Sequence, residues 1–137
     1  MKFKRRLTSG DLLLLELVFA IIFFCLTMSA SMAVFGNAYE MSSKAESLDS
    51  AVRESNSAIE IIRSSATAEE IDSGFASSGY TGAPLKSYSR EYDNGKYRID
   101  IAVSVTGNLY SAVINCYRQS DPETSIYDIS VKHALSK

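Results

Sequence analysis

From Leu12 to Phe35 the chain carries 24 residues in which Glu16 is the one charge. At the usual rise per residue such a helix is about 36 Å long, enough for a bilayer core of about 30 Å. Past that run, apolar or small residues return at Ala38, Met41, Ala45, Leu48, Val52, Ser55, Ile59 and Ile62. Their steps of three and four mark one stripe of a helix. The positions between them (Glu40, Ser43, Lys44, Glu46, Asp49, Arg53, Glu54, Glu60) are mostly polar or charged. Residues 1–83 contain no proline, and Gly36 is the one breaker between Asp11 and Gly74. The pattern predicts a single helix from about residue 12 to about 64, roughly 78 Å long. A break into two helices at Gly36 is the alternative.

Thr67 and Glu70 stand at capping-box spacing, which predicts a short second helix over about 68–73 that ends at Gly74. Residues 74–85 hold Gly74, Gly79, Gly82 and Pro84 and read as a loop. The period then changes to two. Lys86–Tyr92 is a first strand, with Tyr88, Arg90 and Tyr92 on one face. Asn94-Gly95 supplies the two positive φ angles of a type I′ hairpin turn. Tyr97–Val105 follows, with Tyr97, Ile99, Ile101, Val103 and Val105 on one face. Leu109–Arg118 makes a third strand, Ser120–Glu123 a turn, and Ile126–His133 a fourth strand with Tyr127, Ile129 and Val131 inward. One apolar and one polar face suit an antiparallel sheet covered on one side. The stripe Leu48, Val52, Ile59 and Ile62 is the available cover. The expected fold class is α+β: a long N-terminal helix, membrane half and amphipathic half, packed on a four-stranded antiparallel sheet.

Charge sharpens the picture. The bulk balance is ordinary for a domain of 137 residues, with net charge −2, but four of the 14 basic residues (Lys2, Lys4, Arg5, Arg6) lie in the first six positions. Basic residues before an apolar span predict an N-terminus inside and a C-terminal domain outside the cytoplasm. Beyond residue 10, ten basic residues face 16 acidic ones. Direct nucleic-acid binding by the outer part is not expected, because no basic patch is left for phosphates.

Candidate chemistry is sparse. Cys25 lies mid-span and Cys116 in a strand, so no disulfide within the chain is expected. Two cysteines and one histidine are too few for a zinc site. Asp93, Asn94, Asp121 and Glu123 have calcium-binding chemistry, but turns use the same residue types, and no loop has EF-hand spacing. His133 reads as a solvated strand residue, since no motif sets a serine or cysteine nucleophile beside it. Tyr88, Tyr92, Tyr97, Tyr110, Tyr117 and Tyr127 read as cross-strand packing. No catalytic, cofactor-binding or metal residues are assigned, and no enzyme activity is expected.

The stretch Lys4-Arg5-Arg6-Leu7-Thr8-Ser9-Gly10-Asp11-Leu12-Leu13-Leu14-Leu15-Glu16 resembles the N-terminus of the type IV pilin and pseudopilin family. A short basic leader, a glycine and an apolar run with one early glutamate carry the likeness, over about residues 4–64. In that family a prepilin peptidase cuts after the glycine, the new N-terminus is usually methylated, and the glutamate assists assembly. The resemblance implies that Gly10 precedes the cut, Asp11 follows it, and Glu16 is the assembly residue. The membrane span itself, Leu12 to Phe35, is read from its length and apolar composition. One departure is plain: Glu16 becomes the sixth residue after that cut rather than the usual fifth, and Asp11 stands where the family favours an apolar residue. A cut after Asp11, a relaxed register and an unprocessed chain are the three ways to read this.

Glu16 also has a physical argument of its own. A carboxylate in a membrane span costs roughly 2.5–3.5 kcal/mol on insertion scales and normally has a partner. The rest of the span offers no cation, so the partner comes from another chain, in the pilin arrangement a neighbour's freed α-amino group. Snorkelling to the cytoplasmic interface is the simpler alternative. A secretory signal peptide cut near Ser31-Met32-Ala33 is another, opposed by Asp11, by Glu16 and by the stripe that runs through the proposed cut.

These readings divide the chain into a prepilin-type leader (1–10), a membrane and assembly half of the helix (11–36) and an extracytoplasmic pilin-like domain (37–137). The expected function is a structural subunit, a minor pilin or pseudopilin, of a type IV pilus-like or type II secretion or competence-like filament. The implied partners are other copies or related pilin-like subunits, a prepilin peptidase, membrane assembly machinery and the lipid bilayer. An uncleaved, single-pass anchored binding domain is the rival.

Overall fold

The computed structural model describes residues 8–136. The basic cluster at Lys2, Lys4, Arg5 and Arg6, and most of the expected leader, lie outside the described residues. The chain separates into two compact units, Met1–Ser43 and Lys44–Lys137. Helix α1 (Ser9–Ser64) contributes to both and passes Gly36 as continuous helix, without the alternative break.

The second unit is α+β. The last turns of α1 are followed by α2 (Ala68–Ser77) and by strands β1 (Thr81–Ala83), β2 (Ser87–Tyr92), β3 (Tyr97–Thr106), β4 (Leu109–Arg118) and β5 (Asp121–Ala134). All neighbours pair antiparallel in the order β1-β2-β3-β4-β5. The sheet therefore has five strands where four were expected. The extra one, β1, falls in the expected loop, because three residues are too few to show a period. Gly82 sits in it at φ 143°, and a Cβ there would collide with the Ser87 carbonyl oxygen, so the close approach of β1 to β2 needs glycine. β5 begins at Asp121, and Pro122 is tolerated because the strand is an edge.

The turns follow local chemistry. Asn94 and Gly95 have φ of 56° and 79°, as the hairpin requires, and Asp93 is left-handed as well at 53°. Thr67 caps α2, its hydroxyl accepting from the Glu70 N–H at 3.3 Å, while Glu70 reaches back to the Ala66 N–H at 2.7 Å. α2 does not stop at Gly74. It runs on to Ser77, since a Cβ at position 74 would lie 2.7 Å from Ile61 Cγ2 and glycine there serves helix packing rather than termination.

The cover of the sheet differs from the expected stripe. α1 buries Ser47, Ala51, Ser55, Ala58, Ile59 and Ile62, while Leu48 stays 45% exposed and Val52 is half-buried. The helix presents small residues to the sheet at 47, 51, 55 and 58, and the sheet's own large side chains fill the space between. Tyr92, Tyr97, Ile99, Ile101, Tyr110, Ile114 and Cys116 are all buried. Hydrophobicity alone favoured Leu48 and Val52 for this place, but steric fit decides it. Polar contacts lace the same interface: Ser47 Oγ lies 2.7 Å from the Tyr97 hydroxyl and accepts from Arg118 Nη2 at 3.2 Å. Arg90 pairs with Glu54 and donates to the Ser78 carbonyl at 2.9 Å.

The tyrosines divide in the way cross-strand packing requires. Tyr92 and Tyr97 are direct strand partners with rings stacked at 5.4 Å. Phe75 from α2 packs on Tyr80 and Tyr88 at 5.1 and 4.6 Å. His133, expected to be solvated, is half-buried on the core side. Its Nε2 lies 3.0 Å from the Ser65 carbonyl, and next to it the Ser136 N–H donates to the Ala66 carbonyl at 2.8 Å. The end of the chain is thereby tied to the connection between α1 and α2.

Candidate functional site

Within the first unit, every residue from Ser9 to Ser42 is exposed. The exposed set includes Leu13 at 68%, Phe23 at 70% and Phe35 at 73%. A helix that is apolar on all sides belongs in a core or a membrane. Among the described residues α1 is the one helix long and apolar enough to cross a membrane, and it lies near the N-terminus. Its backbone groups bond within the helix, which meets the demand that lipid makes on a spanning segment.

The polar side chains of this half fall into two kinds. Thr27 donates to the Phe24 carbonyl at 2.8 Å, Ser29 to Cys25 at 2.9 Å and Ser31 to Thr27 at 2.9 Å. These hydroxyls are satisfied by their own helix and cost little in lipid. Glu16 is different. It is exposed and has no hydrogen bond or ion pair among the described residues. The side chains one turn away, Leu12, Leu13, Phe19 and Ala20, are all apolar.

Gly10 and Asp11 lie inside the first turn of α1, and a Cβ at Gly10 or at Gly36 would meet nothing within 4 Å. Asp11 has partners. The Thr8 N–H donates to Asp11 Oδ2 at 3.1 Å, the Thr8 hydroxyl donates to the same oxygen at 2.8 Å, and the Leu12 N–H donates to the Thr8 carbonyl at 3.2 Å. Thr8 was not among the residues singled out from the sequence. The signal was present, because Thr8-x-x-Asp11 before an apolar run has the spacing that identified Thr67 and Glu70.

In the second unit, no group of three or more His, Cys, Asp or Glu among the described residues is placed to hold a metal. Asp93 and Asn94 form the β2–β3 turn, and Asp121 and Glu123 lie at the start of β5. Cys116 is wholly buried, 3.3 Å from Ser55 Oγ, and burial pushes its thiol up from the ordinary range. Both cysteines are free. A cavity of about 490 Å³ opens between the Lys44–Leu48 turn of α1 and the start of β5, lined by Leu48, Arg118, Asp121 and Ile126. It contains no reactive constellation.

Comparison with protein-family models, with curated proteins and with solved structures finds no match. The functional reading rests on the chain itself.

Proposed function

We propose that this chain is a non-catalytic filament subunit of the type IV pilin-like kind, held in the cytoplasmic membrane by the first half of α1 before assembly. The carrying observation is Glu16, an exposed carboxylate with no partner among the described residues, on an otherwise apolar helix surface. In lipid that position is costly. A filament relieves the cost when neighbouring copies bury the apolar surface and one of them supplies a cation, the α-ammonium released by cleavage after Gly10. The basic residues before the span favour an N-terminus inside and the sheet domain outside.

Intact mass of the mature protein tests this. Loss of residues 1–10, with the mass of one methyl group added, is the expected result, and loss of residues 1–11 would move the register by one. A mature chain that keeps Met1 would overturn the reading in favour of an uncleaved anchored binding domain. Asp11, an acid where the family has an apolar residue, is the observation that keeps this second reading in play.

A further inference from the structure

Thr8 and Asp11 bracket the Gly10–Asp11 bond in space. Both donors of Thr8, its N–H and its hydroxyl, converge on Asp11 Oδ2 at 3.1 and 2.8 Å. The Leu12 N–H closes the same turn on the Thr8 carbonyl at 3.2 Å. The bond between positions 10 and 11 is therefore held inside the first turn of α1, which starts at Ser9. A peptidase that engages its substrate as extended chain takes up backbone carbonyls as well as N–H groups, and although the first N–H groups of a helix are free, the carbonyls of this turn are bonded within α1. The turn must open before the bond can be cut.

Two local features oppose each other here. Gly10 loosens the turn, since glycine is among the poorest helix formers and nothing packs where its Cβ would be. The Thr8–Asp11 pair tightens it, in the manner of an N-terminal cap. Resting on the filament reading, in which Gly10–Asp11 is the processed bond, we propose that Thr8 and Asp11 form a latch. The latch keeps that bond helical in the uncut chain and slows its hydrolysis. In that hydrolysis water adds across the peptide C–N bond. Gly10 leaves as a carboxylate at the end of the leader, and Asp11 keeps the nitrogen as an ammonium. Thr8 departs with the leader, so the latch cannot re-form. This assigns Asp11 a purpose that an apolar residue cannot serve: it is the acceptor that the uncut helix needs.

The test uses the full uncut chain in detergent micelles with a prepilin-type peptidase, followed by intact mass. Thr8→Val keeps the side-chain shape and removes the hydroxyl donor. It should be cut about fivefold faster than the parent, the change expected from losing a typical cap. Thr8→Ser keeps the hydroxyl and should be cut at the parental rate. Amide hydrogen exchange at Leu12, whose N–H closes the turn on the Thr8 carbonyl, should, read without peptidase, quicken in Thr8→Val and stay unchanged in Thr8→Ser. Thr8→Val cut no faster than the parent, or exchange equal in all three chains, would overturn the latch while leaving the filament reading intact. Failure of the peptidase to cut any of the three would remove the filament reading and the latch together.

Discussion

Ser55 of α1 and Cys116 of β4 meet at 3.3 Å, both without solvent exposure, across the contact between helix and sheet. Ala51 and Ala58 flank Ser55 on the same buried line of α1. Ser55→Leu would force extra methylenes into the contact and should destabilise the domain by about 1–3 kcal/mol. Leu48→Ala, at a position 45% exposed, should cost well under that. Denaturant unfolding of the two variants measures both. A larger loss at Leu48 would restore the hydrophobic stripe as the buried face.

Cys116 should be inert to maleimide in the native protein at neutral pH. It is buried and its thiol is pushed up, chiefly by burial, which leaves little thiolate to react. Labelling should appear only as the domain unfolds, read as mass added to the peptide around residue 116 in rising denaturant. Rapid labelling without denaturant would contradict the packing of β4.

Gly74→Ala and Gly36→Ala should act in opposite directions. Alanine favours a helix by nearly 1 kcal/mol over glycine when nothing obstructs it. At Gly74 the new Cβ would lie 2.7 Å from a branch methyl of Ile61, so the packing strain should outweigh that gain and lower the melting temperature. At Gly36 no atom stands within 4 Å, and the isolated chain in micelles should be unaffected or slightly more helical. Circular dichroism melts of both variants check the pair.

Stability should fall at high pH. Burial raises the Tyr80 and Tyr88 hydroxyls to about 12 and pushes the Cys116 thiol up. The folded chain holds these protons to higher pH than the unfolded chain does. Their contribution is therefore complete below the ordinary tyrosine and thiol values and lost as pH rises through about 12. Denaturation midpoints measured from neutral pH upward should decline in that window, together with a rise in tyrosinate absorbance. A flat midpoint would argue against buried tyrosines.

Glu16→Gln should leave membrane insertion intact, since the amide is cheaper in lipid than the carboxylate. It should abolish or strongly reduce filament formation, because no charge remains to pair between copies. Membrane fractionation and electron microscopy of sheared surface material read the two effects separately. Normal filaments from Glu16→Gln would remove Glu16 from assembly.

Much of the fold was legible because its signals are local. The apolar run, the Thr67 cap and the Asn94-Gly95 turn each depend on a few neighbouring residues, and each appears where expected. What depended on three-dimensional fit was not. The rotation of α1 on the sheet results from small residues opposite large tyrosines, which no helical period reveals. β1 was missed because it exists only through its pairing with β2. Glu16 stood out in the sequence on its chemistry, and Gly10 through the resemblance to the pilin family. Thr8 did not, although the spacing to its partner was available.

In the meander, spatial order equals sequence order, so each strand finds its partner one turn away, which keeps the contact order of the sheet low. Each added strand covers the edge left by the one before and exposes a single fresh one. Two of the tail's links are distant: the approach of His133 to Ser65, 68 residues apart, and the neighbouring Ser136–Ala66 bond. Both join the end of β5 to the connection between α1 and α2. The tail thus works as a clasp, fastening the finished sheet to the foot of the helix that carries it.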